Sequence, residues 1–168
     1  MNIILIGMPG AGKSTVGVLL AKALGMDFVD TDIVIQQSER RLLQDIIDSS
    51  GIDSFLNIEE RVLSALSCKN AVIATGGSAV YSDMAMKAVK DGGVAVYIHV
   101  SFVEIEKRLR NIKSRGVVIK KGQTLRDVYD ERLPLYKKYS DATVDCTGMD
   151  VEQSVSEIIK AVQKNRSK

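Results

Sequence analysis

At 168 residues and 45% hydrophobic content, the chain has the length and apolar content of one domain, 1–168, with a real core. Lys and Arg number 23 against 21 Asp and Glu, and a net charge of +2 excludes a broad electrostatic pull toward nucleic acid or anionic lipid, so any phosphate recognition must be local. Two distant cysteines without metal-ligand spacing and a single histidine argue against a Cys/His zinc site and suit reduced thiols in a cytoplasmic protein.

The chain opens on an apolar run, Met1-Asn2-Ile3-Ile4-Leu5-Ile6, too short for a membrane span and without a basic leader, and the expectation is a buried strand over Ile3–Ile6. Gly7-Met8-Pro9-Gly10-Ala11-Gly12-Lys13-Ser14 then fits the pattern G-x-x-x-x-G-K-[ST], between that strand and a helix expected over Ser14–Leu24. Glycine lets the backbone curl around an anion, so the N–H groups of Gly10, Ala11, Gly12, Lys13, Ser14 and Thr15 are read as a cradle for the phosphates of ATP. In that cradle Lys13 bridges the terminal phosphates and Ser14 binds Mg²⁺.

A further strand at Phe28–Val29 leads into Asp30-Thr31-Asp32, with the two carboxylates on alternate positions of an extended segment at a strand's carboxyl end. One can hold hydrated Mg²⁺ through water, and the other can take the proton of a substrate hydroxyl. Helices are expected over Ile33–Gly51 and Ile58–Leu66, then a strand over Ala71–Ala74 running into Gly76-Gly77-Ser78, where bare backbone admits a small ligand. A helix at Met84–Lys90, a strand at Val94–Val100 and a helix at Val103–Asn111 follow. The stretch Ile112–Gln123, carrying Lys113, Arg115, Lys120 and Lys121 with two glycines, reads as a mobile basic loop. Helices over Thr124–Lys138, with Pro134 near its end, and Val151–Gln163 close the chain. Arg115 and Arg132 are candidates for anion contacts, because planar guanidinium groups suit phosphates and carboxylates. Glu59, Glu60 and Arg61 read as the charged face of a helix. The alternation of strand and helix predicts an α/β fold on a central parallel sheet.

The phosphate loop, Asp30-Thr31-Asp32, Phe55 with Ile58-Glu59-Glu60, Gly76-Gly77, and Arg132-Leu133-Pro134-Leu135-Tyr136 together resemble, in order and approximate spacing, the shikimate kinase family. The resemblance covers almost the whole chain. It implies a three-layer α/β/α P-loop kinase fold of the nucleoside monophosphate kinase-like type, with a substrate-binding region at about 31–62 and a mobile lid at about 111–124. It further implies that Asp32 is the base and contacts ring hydroxyls, that Asp30 helps Ser14 hold Mg²⁺, that Gly76 and Gly77 line the substrate pocket and that Arg132 binds the substrate carboxylate. Arg115 would sit on the lid over ATP, giving Lys13, Asp32 and Arg115 as catalytic residues, and Arg108 would lie near the adenine. The implied reaction transfers the γ-phosphoryl of ATP to the 3-hydroxyl of shikimate; the expected partners are ATP, Mg²⁺ and shikimate, with no nucleic acid or membrane, and a monomer is the expectation.

Three positions depart from the family pattern: Leu56 stands where an arginine usually shares the substrate carboxylate, Ser78 where a third glycine is usual, and Gly116 where the lid has proline. Leu56 keeps open a same-fold kinase of a different small hydroxylated acceptor, and a non-catalytic nucleotide-binding relative is the remaining alternative. A GTPase would need an Asn-Lys-x-Asp segment, which the sequence lacks, and a nucleoside monophosphate kinase would need several arginines toward its acceptor, where only Arg40 and Arg41 stand between the Asp pair and Leu56.

Overall fold

The opening apolar run, in which Ile3, Ile4, Leu5 and Ile6 are all buried, forms β1 (Asn2–Ile6), and burial on both faces is what an alternation-free apolar segment demands. The computed structural model describes residues 1–110 and 117–166. After β1 come α1 (Lys13–Leu24), β2 (Asp27–Asp30), α2 (Thr31–Glu39), α3 (Leu43–Ser64), β3 (Ala71–Ala74), a short 3₁₀ turn (Ala79–Tyr81), α4 (Asp83–Lys90), β4 (Gly93–His99) and α5 (Phe102–Arg110). Beyond the undescribed segment lie α6 (Leu125–Tyr139), β5 (Ala142–Asp145) and α7 (Val151–Arg166).

The strands make one parallel sheet in the order β2-β3-β1-β4-β5, with Ile4 beside both Ile73 and Ala95. β1 is therefore the central strand, flanked by β3 and β4. Parallel neighbours require crossovers, and the helices that supply them cover the sheet, α1 packing with α7 and α3 with α4. All carboxyl ends share one edge, so the turns after β1, β2 and β3 open onto a common space.

Three expectations about local structure are corrected. Ile33–Gly51 is not one helix: α2 stops where Arg40 turns left-handed at φ 54°, and α3 restarts at Leu43, whose N–H donates 3.3 Å to the Gln36 side chain. The backbone is again non-helical at Gly51 (φ 82°, ψ 168°), where the first expected helix was to end, but α3 resumes directly after it rather than at Ile58. Asp32 is not extended, because the strand ends at Asp30 and the helix begins at Thr31. β5 was not foreseen at all; it is four residues long and lies at the sheet's edge with only Val144 buried, which leaves no apolar run to read.

Candidate active site

β1 ends by releasing the chain into a loop that closes on the first turn of α1. Gly12 caps that helix at φ 92°, a left-handed conformation that a side chain would strain, and so turns the first N–H groups of α1 toward the loop's interior. Lys13 is only 8% exposed, and its Nζ donates to the carbonyls of Gly7 at 2.8 Å and Met8 at 2.9 Å, folding the ammonium over the loop. Ser14, next along the helix, is exposed. Gly10, Gly12, Lys13 and Ser14 border a cavity of about 470 Å³.

Asp30 and Asp32 border the same cavity by a different route from the one expected. Asp30 is the N-cap of α2, its Oδ1 accepting from the Asp32 N–H at 3.0 Å, and Asp32 is in that helix's first turn, where a carboxylate also complements the helix dipole. The capping role and the site position coincide in Asp30.

The turn after β3 forms the third wall. Gly76 and Gly77 both border the cavity, and bulk is excluded from behind: a Cβ on Gly76 would stand 2.5 Å from Glu59 Oε1 and 2.8 Å from Asp32 Oδ1, and one on Gly77 would stand 2.5 Å from the Pro9 ring and 3.1 Å from Arg132 Nη1. Arg132 is fully buried, not at the cavity surface; Nε donates 3.1 Å to the Tyr81 hydroxyl and Nη2 donates 2.8 Å to the Val118 carbonyl. Its Nη1 and Glu59 Oε1 are the two buried side-chain polar atoms without a hydrogen-bond partner among the described residues. Unpaired buried groups are costly, so both point to a use for this turn beyond folding.

The structural roles of four side chains here were not legible in the sequence. Glu59, taken for a charged surface, is 2% exposed. Burial pushes its carboxyl up to about 7, with Asp32 adding to the rise, while the Ser78 hydrogen bond and the charges of Arg132 and Lys13 hold it down. Ser78 donates 2.7 Å to Glu59 Oε2. Tyr136 is buried, stacks on Tyr97 with centroids 5.0 Å apart and donates 2.7 Å to the Gly77 carbonyl, fixing the turn from below. Tyr81 carries the Arg132 guanidinium over its ring at 5.0 Å. Besides its place in the Phe55 and Ile58-Glu59-Glu60 motif, helical periodicity was the signal for Glu59's burial: Phe55, Glu59, Val62 and Leu63 share a buried face.

The remaining expected residues are placed unevenly. Ala11 is buried in the core and Thr15 is exposed, and neither borders the cavity. Arg108 does lie against the phosphate loop, donating 3.0 Å to the Gly10 carbonyl and pairing with Glu104, whose other oxygen accepts from Gly148 N–H at 2.9 Å. Leu56 is half-buried against the core, and Phe55 rather than Leu56 borders the cavity. Arg115 and Gly116 lie outside the described residues.

With this geometry in view, a family model described as shikimate kinase matches residues 9–163. The chain belongs to the shikimate kinase family. It is 38% identical over 167 residues to the shikimate kinase of Pseudomonas paraeruginosa, covering 98% of this chain and 97% of that one, and 36% identical over 166 residues to that of Thermodesulfovibrio yellowstonii, covering 97% and 95%. Its fold superposes on the shikimate kinase from Acinetobacter baumannii in complex with shikimate with a TM-score of 0.90 at 31% identity, covering 99% of this chain and 95% of that one. The three-layer P-loop kinase fold expected from the sequence is therefore the observed one, and the chain is an ATP-dependent kinase acting on an alcohol group.

Proposed function

We propose that this shikimate kinase family member transfers the γ-phosphoryl of ATP to the 3-hydroxyl of shikimate, acting as a cytoplasmic monomer in aromatic amino acid biosynthesis. The observation that carries the reading is the shared cavity: the phosphate loop forms one wall, and Asp32 with Gly76 and Gly77 forms another. Donor and acceptor can meet there without crossing bulk solvent. Residues 1–168 act as one kinase domain, with the acceptor region at about 31–62 supplying Ile33, Leu42, Leu43 and Phe55 to the cavity and 111–124 serving as the lid. No described helix is long and apolar enough to cross a membrane.

On this reading the N–H groups from Gly10 to Thr15 bind the phosphates, and Lys13 exchanges the carbonyls of Gly7 and Met8 for the terminal phosphate oxygens. Asp32 orients the acceptor hydroxyl and takes its proton as the oxygen attacks phosphorus. Arg132, whose Nη1 lies unpaired behind Gly77, binds the acceptor's carboxylate after its guanidinium shifts toward the cavity. Arg108 steadies the loop beside the adenine, and Arg115 of the lid approaches the phosphates.

The donor set fits Mg²⁺. The proposed ligands, the Ser14 hydroxyl and the Asp30 carboxylate, both border the cavity, and no cluster of three or more His, Cys, Asp or Glu among the described residues forms a cage. Mg²⁺ retains waters and takes phosphate oxygens, so a sparse protein shell suits it. Bound there, it would neutralise charge on the transferring phosphoryl group.

The test is a purified-enzyme assay with ATP and Mg²⁺, in which shikimate is offered beside other polyols, sugars and hydroxy acids and both ADP and the phosphorylated product are followed. Turnover of shikimate, lost on chelating the metal, is expected. Absence of ATP-dependent turnover with shikimate overturns the reading.

A further inference from the structure

Ser78 is 5% exposed, yet it belongs to the cavity wall, following Gly76 and Gly77. A serine hydroxyl has one proton to donate and two lone pairs to accept with. The proton is committed, since Oγ donates 2.7 Å to Oε2 of Glu59, a buried bond between side chains 19 residues apart. The Ser78 carbonyl accepts from the Tyr81 N–H at 2.9 Å, but among the described residues Oγ accepts no hydrogen bond.

Glu59 is in turn held in one place. It rises from α3 behind the turn, and Gly76 makes room for it, because a Cβ there would lie 2.5 Å from Oε1. A bond to a buried carboxylate is stronger than one between neutral groups, and its rotor is fixed accordingly. Ser78 Oγ thus keeps its accepting capacity free in a cavity wall where its neighbours Gly76 and Gly77 offer no side chain.

We propose that Ser78 is an acceptor-binding and specificity-determining residue of this chain: held by Glu59, its oxygen accepts a hydrogen bond from a non-reacting hydroxyl of the small polyhydroxylated substrate. Glu59 is a positioning residue that acts through Ser78. The proposal rests on the kinase reading above and adds to it a contact on the acceptor side. A polar contact built into a buried wall discriminates strongly, because an acceptor lacking the matching hydroxyl leaves the site's oxygen unpaired.

Ser78→Ala is compared with the unaltered enzyme at pH 8, with shikimate and with analogues lacking each non-reacting hydroxyl in turn. The variant raises the acceptor KM about tenfold and leaves the ATP KM unchanged. For one deoxy analogue the two enzymes perform alike, since the contact is already absent. Removing the serine alone leaves Glu59 buried without its donor, so Ser78→Ala/Glu59→Met is measured as well; replacing both partners by apolar groups preserves the fold and retains the acceptor-side loss.

An unchanged acceptor KM in either folded variant, or an equal penalty for every deoxy analogue in both enzymes, overturns the Ser78 assignment while leaving the kinase reading standing. Failure of the unaltered enzyme to phosphorylate shikimate or any hydroxylated acceptor overturns both.

Discussion

Asp30 Oδ1 accepts the backbone N–H of Asp32 at 3.0 Å, so the carboxylate proposed for the metal also fixes the helix turn that presents the carboxylate proposed for the proton. The two roles separate by substitution. Asp32→Asn keeps the helix but removes the base, and kcat is expected to fall by about 10²–10⁴ with ATP affinity unchanged in a titration. Asp30→Asn preserves a good cap and loses the metal-binding charge, whereas Asp30→Ala also loses about 1 kcal/mol of stability. Undiminished transfer by Asp32→Asn would remove it from the base role.

Lys13 rests on the carbonyls of Gly7 and Met8, bonds it must give up to reach nucleotide phosphates. Lys13→Met retains most of the buried stem and removes only the charged end. Calorimetric titration with ATP is expected to show affinity weakened about tenfold to a hundredfold, the worth of one charge-assisted hydrogen bond, with the circular dichroism spectrum unchanged. Equal affinity in the variant would place the phosphates elsewhere in the cavity.

Glu59 gives the protein a pH signature of its own. Its carboxyl sits at about 7 in the fold against an ordinary 4.5, burial being the largest cause. Between these values the unfolded chain has released the proton and the folded chain has kept it, so the folded state binds more protons and stability falls as pH rises. The contribution is fully present below pH 4.5 and is lost by pH 7, a difference of about 3 kcal/mol. Ser78, Asp32, Arg132 and Lys13 are the groups that face it and set the size of the effect. Urea unfolding at pH 5 and pH 8 should show a smaller decline for Glu59→Gln than for the unaltered protein, and identical declines would contradict this.

What the sequence disclosed divides along a physical line. Gly7 to Ser14 was readable because a local backbone shape needs those residues in that order, and β1 and β3 because a doubly buried strand has no polar face. The break at Arg40 was hidden, since a left-handed arginine has no composition signal and Ile33, Leu43 and Ile46 continue an apparent helical pattern. Glu59 and Tyr136 were hidden for another reason: their neighbours across the turn, Ser78 and Gly77, are 19 and 59 residues away. Arg132 was legible as a binding group, but its burial behind Gly77 was not, because only tertiary packing brings Tyr81 and Val118 to it.

Leu56 offers the sharpest substitution. It precedes Glu59 by three residues on α3, so the two lie on neighbouring helix positions, and an arginine placed there can reach Glu59. Leu56→Arg therefore has two separable consequences. Pairing with Glu59 lowers that carboxyl's pKa, and the decline in stability between pH 5 and pH 8 shrinks. A guanidinium that also reaches the acceptor lowers the KM for shikimate about tenfold but not that for a neutral analogue lacking the carboxylate, because only the former gains a charge-assisted bond. Steady-state kinetics with the two acceptors, beside urea unfolding at both pH values, distinguish the outcomes. A flatter pH profile with no gain for shikimate would mean that the arginine is held by Glu59 and that Arg132 alone serves the carboxylate; an equal gain for both acceptors would show that the new side chain acts on the cavity's shape rather than on charge.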